Sequence, residues 1–184
     1  MDVIGKNAAL IVMDVQEASA APSDGKLNNP GAELNIAALI RRWRRDGLPL
    51  YFVKYLSPRE ASPFHEDAPG SKLRESCTSL PGEPVVIKHF ESAFMKTDLE
   101  ERLRAAGLHT LIFTGFYTDQ CVAVSSKVAN NLGFEVVVVS DGTATTGCPG
   151  YDNTFYEGED IHQLTLGSLK RDGITIAESA ALIS

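Results

Sequence analysis

Ala8-Ala9-Leu10-Ile11-Val12-Met13-Asp14 decides the fold class: six apolar residues run without a break and stop at a carboxylate. A strand with one wet face alternates apolar and polar residues, so an unbroken run of this length reads as a strand covered on both faces, as in a parallel sheet. The pattern recurs downstream in Pro49-Leu50-Tyr51-Phe52-Val53, in Val85-Val86-Ile87 ending at Lys88, and in Thr110-Leu111-Ile112-Phe113 closed by Thr114-Gly115. Phe134-Glu135-Val136-Val137-Val138-Val139 and Ile174-Thr175-Ile176 complete six strands.

Helical signals lie between them. Asn29-Pro30 opens a helix with Asn as cap and Pro in the first turn, Ile36, Leu39, Ile40 and Trp43 form its apolar stripe, and Gly47 closes it. Thr97-Asp98-Leu99-Glu100 reads as a capping box, with Leu99, Leu103 and Ala106 inward and Gly107 as the stop. A third helix is expected from Thr118, whose hydroxyl caps it, to Gly133, and a fourth from Ile161 to Leu169. Strands alternating with helices predict an α/β, three-layer Rossmann-like fold: a six-stranded parallel sheet with helices on both faces. A length of 184 residues suits a single domain over 1–184. Lys54 to Pro84 carries Pro58, Pro63, Pro69, Pro81 and Pro84 and reads as an irregular insert or lid.

Composition narrows the function classes. Seventeen Lys and Arg against 24 Asp and Glu give a net charge of −7, which disfavours nucleic acid and anionic membranes as partners. Arg41-Arg42-Trp43-Arg44-Arg45 looks basic, but on a helix its charges flank a buried stripe and belong to a solvated face. Cys77, Cys121 and Cys148 are widely spaced without a Cys-x-x-Cys, so neither a disulfide framework nor a zinc ribbon is expected. Met1-Asp2-Val3-Ile4-Gly5 lacks a basic region followed by a long apolar run, and runs such as Val136 to Val139 are too short to span a bilayer. The expectation is a soluble, cytoplasmic protein.

Parallel sheets of this kind bind ligands beyond the carboxyl ends of their strands. Asp14 follows the first strand, Lys88 the third, and Cys121 the fourth, so the sheet is expected to bring an acid, a cation and a thiol to one rim. In a first helical turn, unpaired N–H groups and the positive helix end would stabilise a Cys121 thiolate, and Lys88 would lower its pKa further. Asp14 would take the thiol proton and hand it to a leaving nitrogen, while backbone N–H groups around Tyr117 and Cys121 hold an oxyanion. Singly, each residue has a blander reading. Asp14-Val15-Gln16-Glu17 also suits a helix cap, Lys88 a solvated strand end, and Cys121 a core position.

Three motifs carry a resemblance: Leu10-Ile11-Val12-Met13-Asp14-Val15-Gln16, then Val86-Ile87-Lys88 with Ser92-Ala93-Phe94, then Gly115-Phe116-Tyr117-Thr118-Asp119-Gln120-Cys121-Val122. In order and spacing, from about Ala8 to Gly142, the chain resembles the isochorismatase-like cysteine hydrolases, which include nicotinamidases, N-carbamoylsarcosine amidohydrolases and ureidoacrylate amidohydrolases. The resemblance implies an Asp14–Lys88–Cys121 triad that cleaves an amide, carbamoyl or lactam C–N bond of a small molecule through a thioester. It also implies a cis peptide at Phe116-Tyr117 that aims an oxyanion-hole N–H, no cofactor, and a homodimer or homotetramer. Nicotinamidase-type members bind a metal through an Asp-x-His element after strand two. Here that region reads Lys54-Tyr55-Leu56-Ser57-Pro58-Arg59, with His65 its only histidine, so no metal is expected. Tyr117 stands where relatives hold a smaller residue, and Glu17-Ala18-Ser19 replaces their Asn-Asp-Phe.

Gln16, His65, Phe94 and Tyr117 are the substrate-pocket candidates, with Phe64 beside His65. His89 is expected to point away from Lys88 if the strand continues, and His109 and His162 to be surface or packing residues. Gly142 to Gly150 reads as an ordinary loop, lacking a phosphate motif. Two other readings compete with amide hydrolysis: a catalytically idle small-molecule or protein-binding scaffold, and an isochorismatase-type vinyl-ether hydrolase that needs Asp14 but not Cys121.

Overall fold

The computed structural model describes residues 7–19 and 25–183. The stretch Met1 to Gly5, read above for a leader, lies outside them. The strands are β1 (Ala8–Met13), β2 (Leu50–Tyr55), β3 (Val85–Lys88), β4 (Thr110–Phe116), β5 (Glu135–Ala144), the short β6 (Cys148–Pro149) and β7 (Phe155–Tyr156), and β8 (Thr175–Ala177). The helices are α1 (Ala32–Arg45), α2 (Leu99–Ala105), α3 (Ala123–Asn131), α4 (Gly158–Arg171) and α5 (Ala180–Ile183). Six strands form one sheet in the order β3-β2-β1-β4-β5-β8, with every pairing parallel. β6 and β7 pair as a separate antiparallel hairpin, and β6 lies in the Gly142–Gly150 stretch that the sequence suggested was plain loop.

β1 shows why the apolar run is unbroken. Ala9, Ile11 and Met13 enter one core with Leu99 and Leu103 of α2, Ala129 of α3 and Leu166 of α4. Ala8, Leu10 and Val12 enter the opposite core with Ile36, Ile40 and Trp43 of α1 and Leu182 of α5. All six β1 residues are buried, so both faces of the strand are dry and neither tolerates a polar residue. Leu10, Ile11, Val12 and Met13 each contribute roughly 1.5–3 kcal/mol on burial, enough to fix the register of the central strand.

Several local expectations change. α1 starts at Ala32 behind Gly31, with no side-chain cap; the Asn29 amide instead donates to the Ser140 and Thr143 carbonyls and ties the helix entry to β5. Thr97 does not close a capping box: its hydroxyl donates to the Ala93 carbonyl at 2.5 Å and accepts from the Leu99 N–H only at 3.4 Å, and the side chain of the N-cap residue Asp98 makes no capping bond. Ala106 is exposed, because α2 ends at Ala105. Asp14 caps no helix; its φ of 51° turns the chain sharply off β1. Arg42 and Arg45 pair with Asp46, and Arg44 with Glu83, as a solvated face does, while Trp43 is wholly buried. No helix among the described residues is long and apolar enough to cross a membrane.

Candidate active site

The strand order reverses between β1 and β4, since the chain winds one way through β2 and β3 and the other way through β5 and β8. At such a point the connections diverge and leave a crevice beyond the strand ends. Asp14 leaves β1 into that crevice and Cys121 sits on the turn after β4. Lys88 ends β3, two strands from β1, about 10 Å away at ordinary strand spacing. Only a long side chain crosses that gap. Lys88 does so past Tyr55, whose ring centroid lies 5.1 Å from its Nζ.

The three groups meet. Lys88 Nζ is 2.8 Å from Asp14 Oδ2 and 3.1 Å from Cys121 Sγ, and it donates to the Phe90 carbonyl at 3.1 Å. Lys88 is fully buried and Asp14 nearly so, at 4% exposure, while Cys121 is half-buried. A buried charge pair persists only where both members are held, and Lys88 has three acceptors around it. Asp14 is held through its backbone: its N–H donates to Val53, and its carbonyl accepts from the Ser19 hydroxyl at 2.6 Å.

Close strand packing sets the floor. Gly115 has φ 123° and pairs with Met13; a Cβ there would lie inside the Met13 backbone. The Phe116–Tyr117 peptide that follows is cis. Thr118 to Val122 then forms a wide π-type turn in which Gln120 departs from helical geometry, at φ −109° and ψ −107°. Cys121 therefore precedes α3 and is not in its first turn. The Thr118 hydroxyl does not cap the helix: it lies 2.9 Å from Nδ1 of the buried His162, and Asp119 accepts from the Thr145 hydroxyl. These two contacts pin the turn to α4 and to the end of β5.

Electrostatics depart from the sequence expectation at the thiol. Burial, followed by the Asp14 carboxylate, pushes the Cys121 thiol up to about 12, against the opposing pull of Lys88. A depressed pKa was expected from the helix end and the lysine; the buried acid and the loss of water outweigh both. Burial also pushes the Asp14 carboxyl above its ordinary value, with Lys88 acting against it. At Lys88 burial disfavours the charge, but Asp14 and Cys121 outweigh it and hold the amine above its ordinary value. The arrangement is a carboxylate–ammonium pair beside a protonated thiol.

Asp14 and Cys121 open on a cavity of about 400 Å³. Of the four pocket candidates, Tyr117 lines it, so its ring forms part of the wall. Gln16, His65 and Phe94 do not. Gln16 is fully buried and grips the end of β2, donating to the Tyr55 and Ser71 carbonyls and accepting from the Tyr55 N–H. Phe94 packs on Phe134, with centroids 6.3 Å apart, and belongs to the core on the α2 side. His65 is half-buried, its Nδ1 within 3.6 Å of Asp67. Its neighbour Phe64 reaches the cavity.

Sequence reasoning missed Tyr55, His89, Phe90, Glu91, Gln120 and Ser19 as lining residues. The rule that selected Lys88, residues at strand ends, applies equally to His89, Phe90 and Glu91. β3 stops at Lys88, as the sequence suggests, so the condition for His89 to point away does not hold, and His89 puts Nδ1 2.8 Å from the Leu56 carbonyl. Among the described residues, the side chains grouped closely enough to share a metal are His65, Glu66 and Asp67, with ligand atoms within 4.8 Å of one another. None of the three lines the cavity.

Comparison with known proteins agrees with this architecture. The chain is 32% identical over 176 residues to the uncharacterized isochorismatase family protein YrdC of Bacillus subtilis, covering 96% of this chain and 94% of that one. It is 28% identical over 181 residues to Nicotinamidase 3 of Arabidopsis thaliana, covering 91% and 83% of the two chains. A crystal structure of an isochorismatase-family protein from Chromobacterium violaceum superposes with a TM-score of 0.95 at 31% identity, covering 97% of this chain and 93% of that one. The Isochorismatase domain model matches residues 8–178, and the chain belongs to the isochorismatase family, a family of hydrolases.

Proposed function

We propose that the protein hydrolyses a carbon–nitrogen bond of a small amide, carbamoyl compound or lactam through a thioester on Cys121. The observation that carries this reading is the placement of one ammonium, Lys88 Nζ, 2.8 Å from a carboxylate and 3.1 Å from a thiol on the cavity floor. Such a trio moves a proton from sulfur to carboxylate without ever leaving a bare charge. The likeness to a nicotinamidase supports amide chemistry.

In the resting site the proton stays on sulfur. As Sγ attacks the carbonyl carbon, its proton passes to Asp14, whose raised basicity makes the transfer less uphill. The C–S bond forms, the carbonyl π pair moves to oxygen, and backbone N–H groups of the Phe116–Cys121 turn receive the oxyanion. Collapse of the adduct breaks the C–N bond, and Asp14 returns the proton to the departing nitrogen. Water then attacks the thioester with Asp14 as base, the C–S bond breaks, the sulfur regains its proton and the acid leaves. Lys88 stays charged throughout and balances whichever of Asp14 and Cys121 is anionic.

Cys121→Ala tests this. Ammonia or amine release from a panel of small amides, ureas and lactams is expected to vanish while the circular dichroism spectrum is unchanged. Full turnover by that variant would remove Cys121 as nucleophile and leave acid chemistry at Asp14, as vinyl-ether cleavage requires.

A further inference from the structure

His89 and Glu91 line the cavity but make none of the contacts among Asp14, Lys88 and Cys121. The Leu56 carbonyl can only accept, so His89 donates to it through Nδ1. The Glu91 side chain is exposed and enters no ion pair among the described residues. Besides the Ser19 hydroxyl and the Gln120 amide, aromatic residues supply most of the remaining wall: Tyr55, Phe64, Phe90, Phe116 and Tyr117.

Lysine and arginine are absent from this lining among the described residues. Lys88 is spent on Asp14, Cys121 and the Phe90 carbonyl. Arg74 lies 6.0 Å from the Phe116 ring centroid, but its guanidinium is taken by Glu33 and by the Gln16 and Ser19 carbonyls. Lys96 rests 5.2 Å from the Phe90 ring centroid and does not line the cavity. An entering molecule thus meets the Glu91 carboxylate, the His89 ring, the Ser19 hydroxyl, the Gln120 amide and aromatic surface. A carboxylate would shed water there with no lysine or arginine to replace it, whereas an ammonium would gain Glu91.

We propose that the substrate is a small amide bearing a positive charge, an ammonium or amidinium, remote from the scissile bond, and that the cavity rejects amides bearing a carboxylate at that end. Glu91 is the residue that decides between them. The inference rests on the reading of this cavity as a hydrolytic site, so its test measures binding as well as turnover.

The probes are 4-ethylbenzamide, 4-(aminomethyl)benzamide and 4-carbamoylbenzoate, alike in size and different in charge. With the native protein, kcat/KM for ammonia release is expected to favour the cationic amide over the anionic one by roughly tenfold at low salt, since an exposed charge contributes up to about fivefold for each sign. Glu91→Gln is expected to bring the cationic-to-neutral ratio close to one, and Glu91→Lys to invert the ranking. Equal or better use of the anionic amide, or a ratio that Glu91→Gln leaves unchanged, overturns the proposal. Calorimetric binding to Cys121→Ala separates the two readings. If no amide is hydrolysed yet that variant binds the cationic amide best, hydrolysis fails and charge selection stands; equal binding of all three, or binding of none, refutes charge selection.

Discussion

Replacing Asp14 by Asn is expected to change the chemistry of Cys121 in two opposite directions. The Cys121 thiol sits at about 12 against an ordinary 9.0, so below pH 9 it is about a thousandfold less ionised than a free thiol. A more basic thiolate is also a better nucleophile; at a Brønsted coefficient of about 0.45 this recovers roughly 20-fold in disulfide exchange. The net expectation is that Cys121 attacks a neutral disulfide such as 4,4′-dithiodipyridine about 40 to 50 times more slowly than an ordinary thiol, before any barrier of access. Asp14→Asn removes the charge that opposes thiolate formation and leaves Lys88 3.1 Å from the sulfur. A neighbouring charge moves a pKa by roughly 1–3 units, so the thiol should fall and exchange should quicken several-fold. Turnover should collapse in the same variant, because the proton acceptor is gone. The assay follows thiopyridone release by absorbance from pH 6 to 10 in a Cys148→Ser background, since Cys148 is exposed, while Cys77 is wholly buried with its thiol pushed up to about 11. Native Cys121 reacting faster than a free thiol at pH 7, or slower reaction after Asp14→Asn, would refute the electrostatics described here.

Lys88→Met leaves the Asp14 carboxylate buried without its partner and should cost about 3–5 kcal/mol in urea unfolding, whereas Asp14→Asn with Lys88→Met should recover much of that loss. The acid limb of kcat/KM should lie above an ordinary carboxylate's 3.8, because Asp14 must be ionised to act and its pKa is raised; activity is lost as pH falls through that value. Thiol ionisation at about 12 adds no alkaline limb below roughly pH 10, so a sigmoidal change between pH 7 and 9 that follows Cys121 would contradict the assignment. Gly115→Ala would drive a Cβ into Met13 at a φ of 123° and should destabilise the protein by roughly 3 kcal/mol or more, read as a fall in melting temperature; an unchanged melting temperature would show that β1 and β4 can separate.

The layer order of this protein was legible in its sequence because burial on both faces leaves a plain mark. Ala8 to Met13 can be unbrokenly apolar only where alternate side chains enter two different cores, and the remaining strands repeat the pattern. The rim positions of Asp14, Lys88 and Cys121 followed from strand ends alone, since a parallel sheet delivers every carboxyl end to one side. Local capping was read less well. Asn29, Thr97 and Thr118 have the right chemistry for helix caps, yet each finds a stronger partner distant in sequence or in the preceding loop, and no local pattern records that competition.

Tertiary structure alone decided the lining of the cavity and the state of the thiol. Gln16, His65 and Phe94 are near the site in sequence, but the direction of each side chain depends on where a strand stops and what packs behind it. His89 lines the cavity because β3 stops at Lys88 and the chain turns there. The thiol at Cys121 depends on how much water is excluded and on how close Asp14 stands, and both are properties of the assembled crevice. Residue identity specifies which charges exist; their energies depend on distance and dielectric, which come into being only when segments more than a hundred residues apart in the chain close around the same space.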